Sequence, residues 1–251
     1  ITTNYKNNTV NLPKPTKSGY TFGGWYTASS GGTKVNNTYT PTGNITLYAH
    51  GSANSYTLSF DANGCGTLGV SYVTATVGKT YGDADDGDGL PSIALTTGKK
   101  FDGWYTSSSG GNKITNSTTV TASSDNGTLY AHCSYINYNI SYNLANGTYG
   151  SSHPTSAKYG DVINISKPSK KVTISLSRGT NASNAKISST SVSAAQTFAG
   201  WTATNLNTTT ARRGTSSSSV NTQWSSGSTK STYTYYKNLT ATNNATVNLT
   251  A

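Results

Sequence analysis

One phrase recurs three times in this chain. GYTFGGWYTASSGGTKV opens at Gly19, KKFDGWYTSSSGGNKI at Lys99, and QTFAGWTATN at Gln196. Trp25, Trp104 and Trp201 are therefore equivalent, separated by 79 and then 97 residues. A phrase repeated at such spacing means that one small structural unit is built again and again, each with its own core. The flanks repeat with it. Closing stretches are ITLYAH (Ile45–His50), GTLYAH (Gly127–His132) and ATVNLTA (Ala245–Ala251). Opening stretches are YTLSFDANGCG from Tyr56 and YNISYNLANGT from Tyr138. The expected organisation is three tandem modules, residues 1–50, 54–133 and 137–251, in an elongated array with short junctions at 51–54 and 134–137.

Each copy reads as strands. Tyr56, Leu58 and Phe60 alternate with polar residues, as do Tyr138, Ile140, Tyr142 and Leu144. Period two marks a half-buried strand. The Asn-Gly and Gly-Gly pairs that follow are turns, because these residues tolerate positive φ. Strict alternation within the phrase puts Phe22, Gly24 and Tyr26 on one face and Gly23, Trp25 and Thr27 on the other. A glycine inside a strand marks a bulge or a close backbone approach, here expected to let the indole lie across a neighbouring strand. Phe22, Trp25, Phe101, Trp104, Phe198 and Trp201 are the expected module cores. The alternative for the tryptophans is a sugar-stacking platform.

Two copies depart from the pattern. The first lacks an opening strand, since ITTNYKNNTV matches the second strand of the other copies. Either the sequence is cut mid-module, or a neighbouring subunit or another part of the polypeptide completes the sheet by strand complementation. The third carries insertions: SLSRGTNASNAKISSTSVSAAQ before its tryptophan, and a Ser/Thr-rich run after it with Arg212, Arg213, Trp224 and TYTYY. That region is expected to be a decorated loop or an extra hairpin.

Composition fits thin cores. Leu, Ile, Val and Phe make up about 15% of residues, but 18 Tyr and 4 Trp partly replace them, and aromatics bury large areas on a pleated surface. With 10% charged residues, the chain lacks the high charge of a disordered one.

FDANG, a polar strand, LPKPTKSGYTFGGWYT, SGGTKV and TLYAH, in that order, resemble the Listeria–Bacteroides repeat, the family that includes the internalin B-repeats. The resemblance spans nearly the whole chain. It is strongest in the first two copies; in the third, LYAH has become NLTA. It implies a mainly β fold of small α+β, β-grasp-like modules with little helix. It also implies an extracellular, non-enzymatic role at the bacterial surface or in secretion: spacer, adhesive stalk or fibre subunit.

Cys65 ends the opening strand of the second copy and Cys133 its closing strand. If those strands lie side by side and parallel, as in a β-grasp sheet, the two form a disulfide, which fits an oxidising exterior. The acidic run DADDGDG holds Asp83, Asp85, Asp86 and Asp88. Carboxylates with glycines can wrap Ca²⁺, but the spacing is not that of an EF-hand, and the expectation is a solvated turn with no metal or other cofactor.

The net charge of +10 favours anionic partners such as glycans or wall polymers. Lys167, Lys170, Lys171, Arg212 and Arg213 are the candidate contacts, and a binding module built on them is the alternative function. Nucleic acid is not expected, for want of a recognition helix or an aromatic/basic RNP motif. Nor is membrane insertion, since no apolar run approaches about 18 residues. No GxSxG, P-loop or HExxH is present, so the chain is not expected to be an enzyme. It has no starting Met and no signal peptide, and is expected to be an excerpt.

Overall fold

The computed structural model describes residues 7–122, 127–175 and 191–251. The protein is mainly β. Among the described residues, helix is confined to short 3-10 pieces, of which Tyr81–Gly87 is the longest. The chain divides into two compact units, residues 1–95 with 101–132, and residues 96–100 with 133–251.

The first unit begins with β1 (Val10–Asn11), β2 (Tyr20–Tyr26), β3 (Lys34–Val35), β4 (Thr38–Tyr39) and β5 (Tyr48–Ala53). β2 is the centre of a three-stranded sheet, antiparallel to β3 on one side and β5 on the other. β1 and β4 form a separate pair. β6 (Ser55–Asp61), β7 (Gly66–Leu68), β8 (Tyr72–Thr76), β9 (Ile93–Leu95), β10 (Lys99–Tyr105), β11 (Lys113–Ile114) and β12 (Thr128–Tyr135) follow. Five of them make one sheet in the order β11-β10-β12-β6-β8, and β7 pairs with β9. β6 runs parallel to β12, with Phe60 opposite Leu129, and antiparallel to β8. The period-two pattern is what buries this sheet: Leu58 and Phe60, Val73 and Ala75, Leu129 and Ala131 are all inside.

The residues read as the first junction are part of the sheet. β5 continues through Ala53, pairing with β2 as far as Tyr20. Asn54 alone separates it from β6. Its N–H donates to Gly19 O at 2.9 Å, and its carbonyl accepts from Val77 N at 3.0 Å.

The second unit contains β13 (Asn137–Asn143), β14 (Ser156–Lys158), β15 (Val162–Asn164), β16 (Lys171–Ser175), β17 (Ser191–Ala195), β18 (Thr202–Thr204), β19 (Arg212–Gly214), β20 (Thr222–Gln223), β21 (Tyr235–Lys237) and β22 (Thr246–Thr250). One sheet has the order β14-β13-β22-β18, with β13 parallel to β22. This repeats the opening-beside-closing relation of β6 and β12. A second sheet has the order β15-β21-β19-β20. Residues 176–190, most of the first insertion, lie outside the described residues; its flanks pair as β16 and β17.

Of the two expectations for the second insertion, a decorated loop or an extra hairpin, the structure shows the hairpin, β19 paired with β20, and adds that the insertion carries residues of the core. Trp224 and Tyr236 are both 0% exposed, their centroids 5.5 Å apart. They join Tyr138, Ile140, Trp201 and Leu249 in one cluster. Large aromatics spread over a Ser/Thr-rich run are enough to drive a second layer, because each removes a large apolar area from water.

Candidate functional site

The candidate site is the repeated tryptophan strand and what surrounds it. In β2 the pairing register shifts between Phe22 and Gly24, so strict alternation fails there. Phe22 and Trp25, expected on opposite faces, have their rings in edge contact at 5.9 Å. The same contact recurs between Phe101 and Trp104 at 5.5 Å and between Phe198 and Trp201 at 5.3 Å. A bulge adds one residue to one strand and so reverses the side on which the following residues point.

Gly24 sits at the irregularity with a φ of 134°, and Gly103, its equivalent in β10, has a φ of 140°. A Cβ there would stand 2.6 Å from Lys34 Cε and 2.5 Å from Lys113 Cε. The lysine stem thus crosses over bare backbone. Lys34 and Lys113 each follow their tryptophan by nine residues, a spacing that is visible in the sequence and that sequence reasoning passed over.

The indoles are anchored alike in the first two copies. Trp25 Nε1 donates to Pro13 O at 2.8 Å, and Trp104 Nε1 to Pro91 O at 3.0 Å. In the third, Pro168 of KPSKK follows the place of those prolines in sequence, yet the buried Trp201 Nε1 has no hydrogen-bond partner among the described residues. Trp104 and Trp201 are buried, whereas Trp25 is half-buried. Phe22 and Phe198 are half-buried and Phe101 is at the surface.

Histidines close each of the first two copies. His50 stacks on Tyr26 and His132 on Tyr105, both at 4.0 Å. Tyr142, Tyr138 and Tyr236 crowd the core of the second unit. Burial raises the Tyr142 phenol above its ordinary range and pushes Tyr138 and Tyr236 up to about 12.

The basic candidates separate into two environments. Arg212 Nη1 donates to Thr209 O and Ala211 O at 2.9 and 3.0 Å. The Arg213 guanidinium lies 5.2 Å from the Tyr233 ring and 5.9 Å from Trp224. Both arginines are held against the protein itself. Lys170 instead lines a hollow of about 210 Å³ with Lys230, Phe198, Pro168 and Gln196, while Lys167 and Lys171 are exposed. A hollow of about 420 Å³ borders Phe22 in the first copy, lined by Pro13, Lys14 and Lys34 among others.

The acidic run is used locally. Thr80 donates to Asp83 Oδ2 from its hydroxyl at 2.7 Å and its N–H at 2.9 Å. The hydroxyl bond, then the backbone bond, hold the Asp83 carboxyl below its ordinary range. Asp85 Oδ1 accepts from Thr74 N at 2.6 Å. Asp85 and Asp86 themselves have positive φ. Among the described residues no group of three or more His, Cys, Asp or Glu is placed to hold a metal ion. Among the described residues no helix is long and apolar enough to cross a membrane.

Neither cysteine is free; both are disulfide-bonded, and as the chain has two they are each other's partner. Cys65 lies beyond the end of β6, in the turn before β7, and Cys133 lies within β12 rather than at its end; Cys65 Sγ is 3.5 Å from Ala131 O.

These features define a mainly β protein that repeats one tryptophan-centred motif, which in the first two copies is a strand with a carbonyl anchor and a lysine cover. The chain belongs to the Listeria-Bacteroides repeat domain family, which matches residues 2–50 and 56–132. Internalin H of Listeria monocytogenes serovar 1/2a (strain ATCC BAA-679 / EGD-e) is 40% identical over 102 residues. That match spans 39% of this chain and 16% of the relative. No solved structure matches. Family and relative together support a surface-protein repeat region.

Proposed function

We propose that the chain is an extracellular, non-catalytic repeat segment of a bacterial surface protein, acting as a spacer, stalk or fibre subunit. The observation that carries this reading is the first junction. Asn54 alone connects β5 to β6, and both of its backbone groups are hydrogen-bonded. A one-residue bonded joint leaves the linked strands little freedom, unlike a Gly/Ser linker. Negative-stain electron microscopy with light scattering tests it. Monomeric rods or filaments are expected; a compact round particle overturns the reading.

A second reading, binding of an anionic glycan or wall polymer, is favoured by the hollow that places Lys170 and Lys230 beside Phe198. It predicts retention on a wall polymer that weakens with salt and is lost in a K170A/K230A variant.

A further inference from the structure

We infer that the acidic run is a guard on a sheet edge: Asp85 stands where a neighbouring strand would bond to β8, and it keeps that edge from pairing with a second copy of the chain. The inference stands independently of the spacer reading. β8 is the last strand of its sheet, with β6 on one side and, among the described residues, no strand on the other. An edge strand offers unpaired N–H and C=O groups to any other chain. This one invites pairing. It is five residues long, YVTAT, with no proline, lysine or other charge, and its Tyr72 is 62% exposed. Two such edges can pair antiparallel about a twofold axis, so a second copy is the partner always at hand. The third copy meets the same problem differently. Its β14 pairs with β13 as β8 pairs with β6, but it is three residues long, contains Lys158 and closely follows Pro154. Shortness, lysine and proline are ordinary means of blunting an edge. β8 has none of them and has the acidic run instead.

The pairing of β8 fixes which of its backbone groups point outward. Val77 N donates to Asn54 O, and Ser71 O accepts from Phe60 N. Bonds to an antiparallel neighbour alternate along a strand, so Tyr72, Thr74 and Thr76 turn their N–H and C=O groups away from β6. The Thr74 N–H donates to Asp85 Oδ1 at 2.6 Å. Thr76 O accepts from Lys79 N at 3.1 Å. The segment after β8 thus folds back and fills the outer side of its own strand. Asp85 is held there against backbone strain: its φ is 46° and that of Asp86 is 59°, in the left-handed region that disfavours a residue with a side chain. The run is clamped by the buried side chains of Tyr81 and Ala84, and by Tyr81 N donating to Thr118 O at 2.9 Å. An incoming strand must break the Thr74 bond and take a carboxylate out of water, which is unfavourable.

The test is sedimentation velocity of the whole chain over a concentration series, with circular dichroism to show that each variant is folded. Asp85→Ala should self-associate at a protein concentration about tenfold lower than the unaltered chain, the worth of one hydrogen bond to a charged group. Asp86→Ala removes the same charge from the next positive-φ position, which makes no bond to β8 among the described residues, and should sediment like the unaltered chain. Adding Tyr72→Lys to D85A places a lysine on the edge and should reverse the association. A further measurement needs no variant: in the unaltered chain the Thr74 amide should exchange about tenfold or more slowly than that of Tyr72, the next outward N–H. A folded D85A chain that sediments like the unaltered one, equal association of D86A, undiminished association of D85A/Y72K, or equal exchange at Thr74 and Tyr72 would each overturn the proposal.

Discussion

The imidazole of His132 lies flat on the ring of Tyr105, with centroids 4.0 Å apart and planes 12° from parallel. Its Nε2 is 2.9 Å from Ser107 O. A carbonyl only accepts, so Nε2 carries the proton. His50 repeats the arrangement on Tyr26 at 9°, with Ala28 O as acceptor at 2.9 Å. The pair ties the closing strand to the turn that follows the tryptophan strand. Losing one hydrogen bond and one ring stack costs about 1–2 kcal/mol. His132→Ala should lower the denaturant midpoint of the first unit accordingly, with circular dichroism as the readout.

Gly103→Ala separates strain from crowding. The Lys113 Cε that a Cβ would meet belongs to a flexible side chain and can move aside. The φ of 140° cannot be relieved so easily, and costs an alanine about 1–3 kcal/mol. Adding Lys113→Ala should therefore recover little of the loss. Full recovery in thermal unfolding of the double variant would show that crowding dominates.

The indole anchors predict an asymmetry. Trp104→Phe removes a bond to Pro91 O, whereas Trp201→Phe removes a buried N–H that has no partner among the described residues. Beyond the shared loss of volume, W104F should cost about 1 kcal/mol more than W201F. Chemical unfolding of the two variants measures the difference.

Alkaline pH should weaken the second unit. Burial pushes Tyr138 and Tyr236 up to about 12 and raises Tyr142 as well. An unfolded phenol ionises near pH 10, so the unfolded chain releases these protons first. For Tyr138 and Tyr236 the stabilisation is complete below about pH 10 and is lost as pH rises toward 12, on the order of 2–3 kcal/mol each. Absorbance at 295 nm should show a late-titrating group of tyrosines, and Tyr236→Phe should shrink it.

Reduction should destabilise the chain by about 4 kcal/mol in the chain-entropy model for a loop of this length. Non-reduced intact mass after alkylation should show no label, and the C65S/C133S variant should melt at lower temperature.

Much of this was legible in the sequence, because period-two alternation is a local signal. Leu58 and Phe60 announced a buried strand, and the third-copy opening strand around Ile140 did the same. The repeated phrase located Trp25, Trp104 and Trp201. What escaped were features that depend on residues distant in sequence. The bulge after Phe22 is set by pairing with β5, so it reversed a face assignment that alternation alone made. Gly51–Ala53 looked like a linker because glycine and serine carry no periodicity, yet the facing residues of β2 draw them into the ladder. Trp224 and Tyr236 sat in polar surroundings that hid a core. Arg212 and Arg213 looked free to meet an anion, but backbone carbonyls and aromatic rings engage them.

The Cys65–Cys133 bond has a mechanical consequence. β6 and β12 run parallel, so tension applied at the two ends of the second copy slides one strand along the other. The rungs of the ladder then share the load instead of opening one by one. Should they yield, the cystine still carries the force straight across from Cys65 to Cys133. Residues 66–132, roughly 200 Å of extensible chain, never feel the pull, and under oxidising conditions this copy can lengthen only by the few residues outside the Cys65–Cys133 loop.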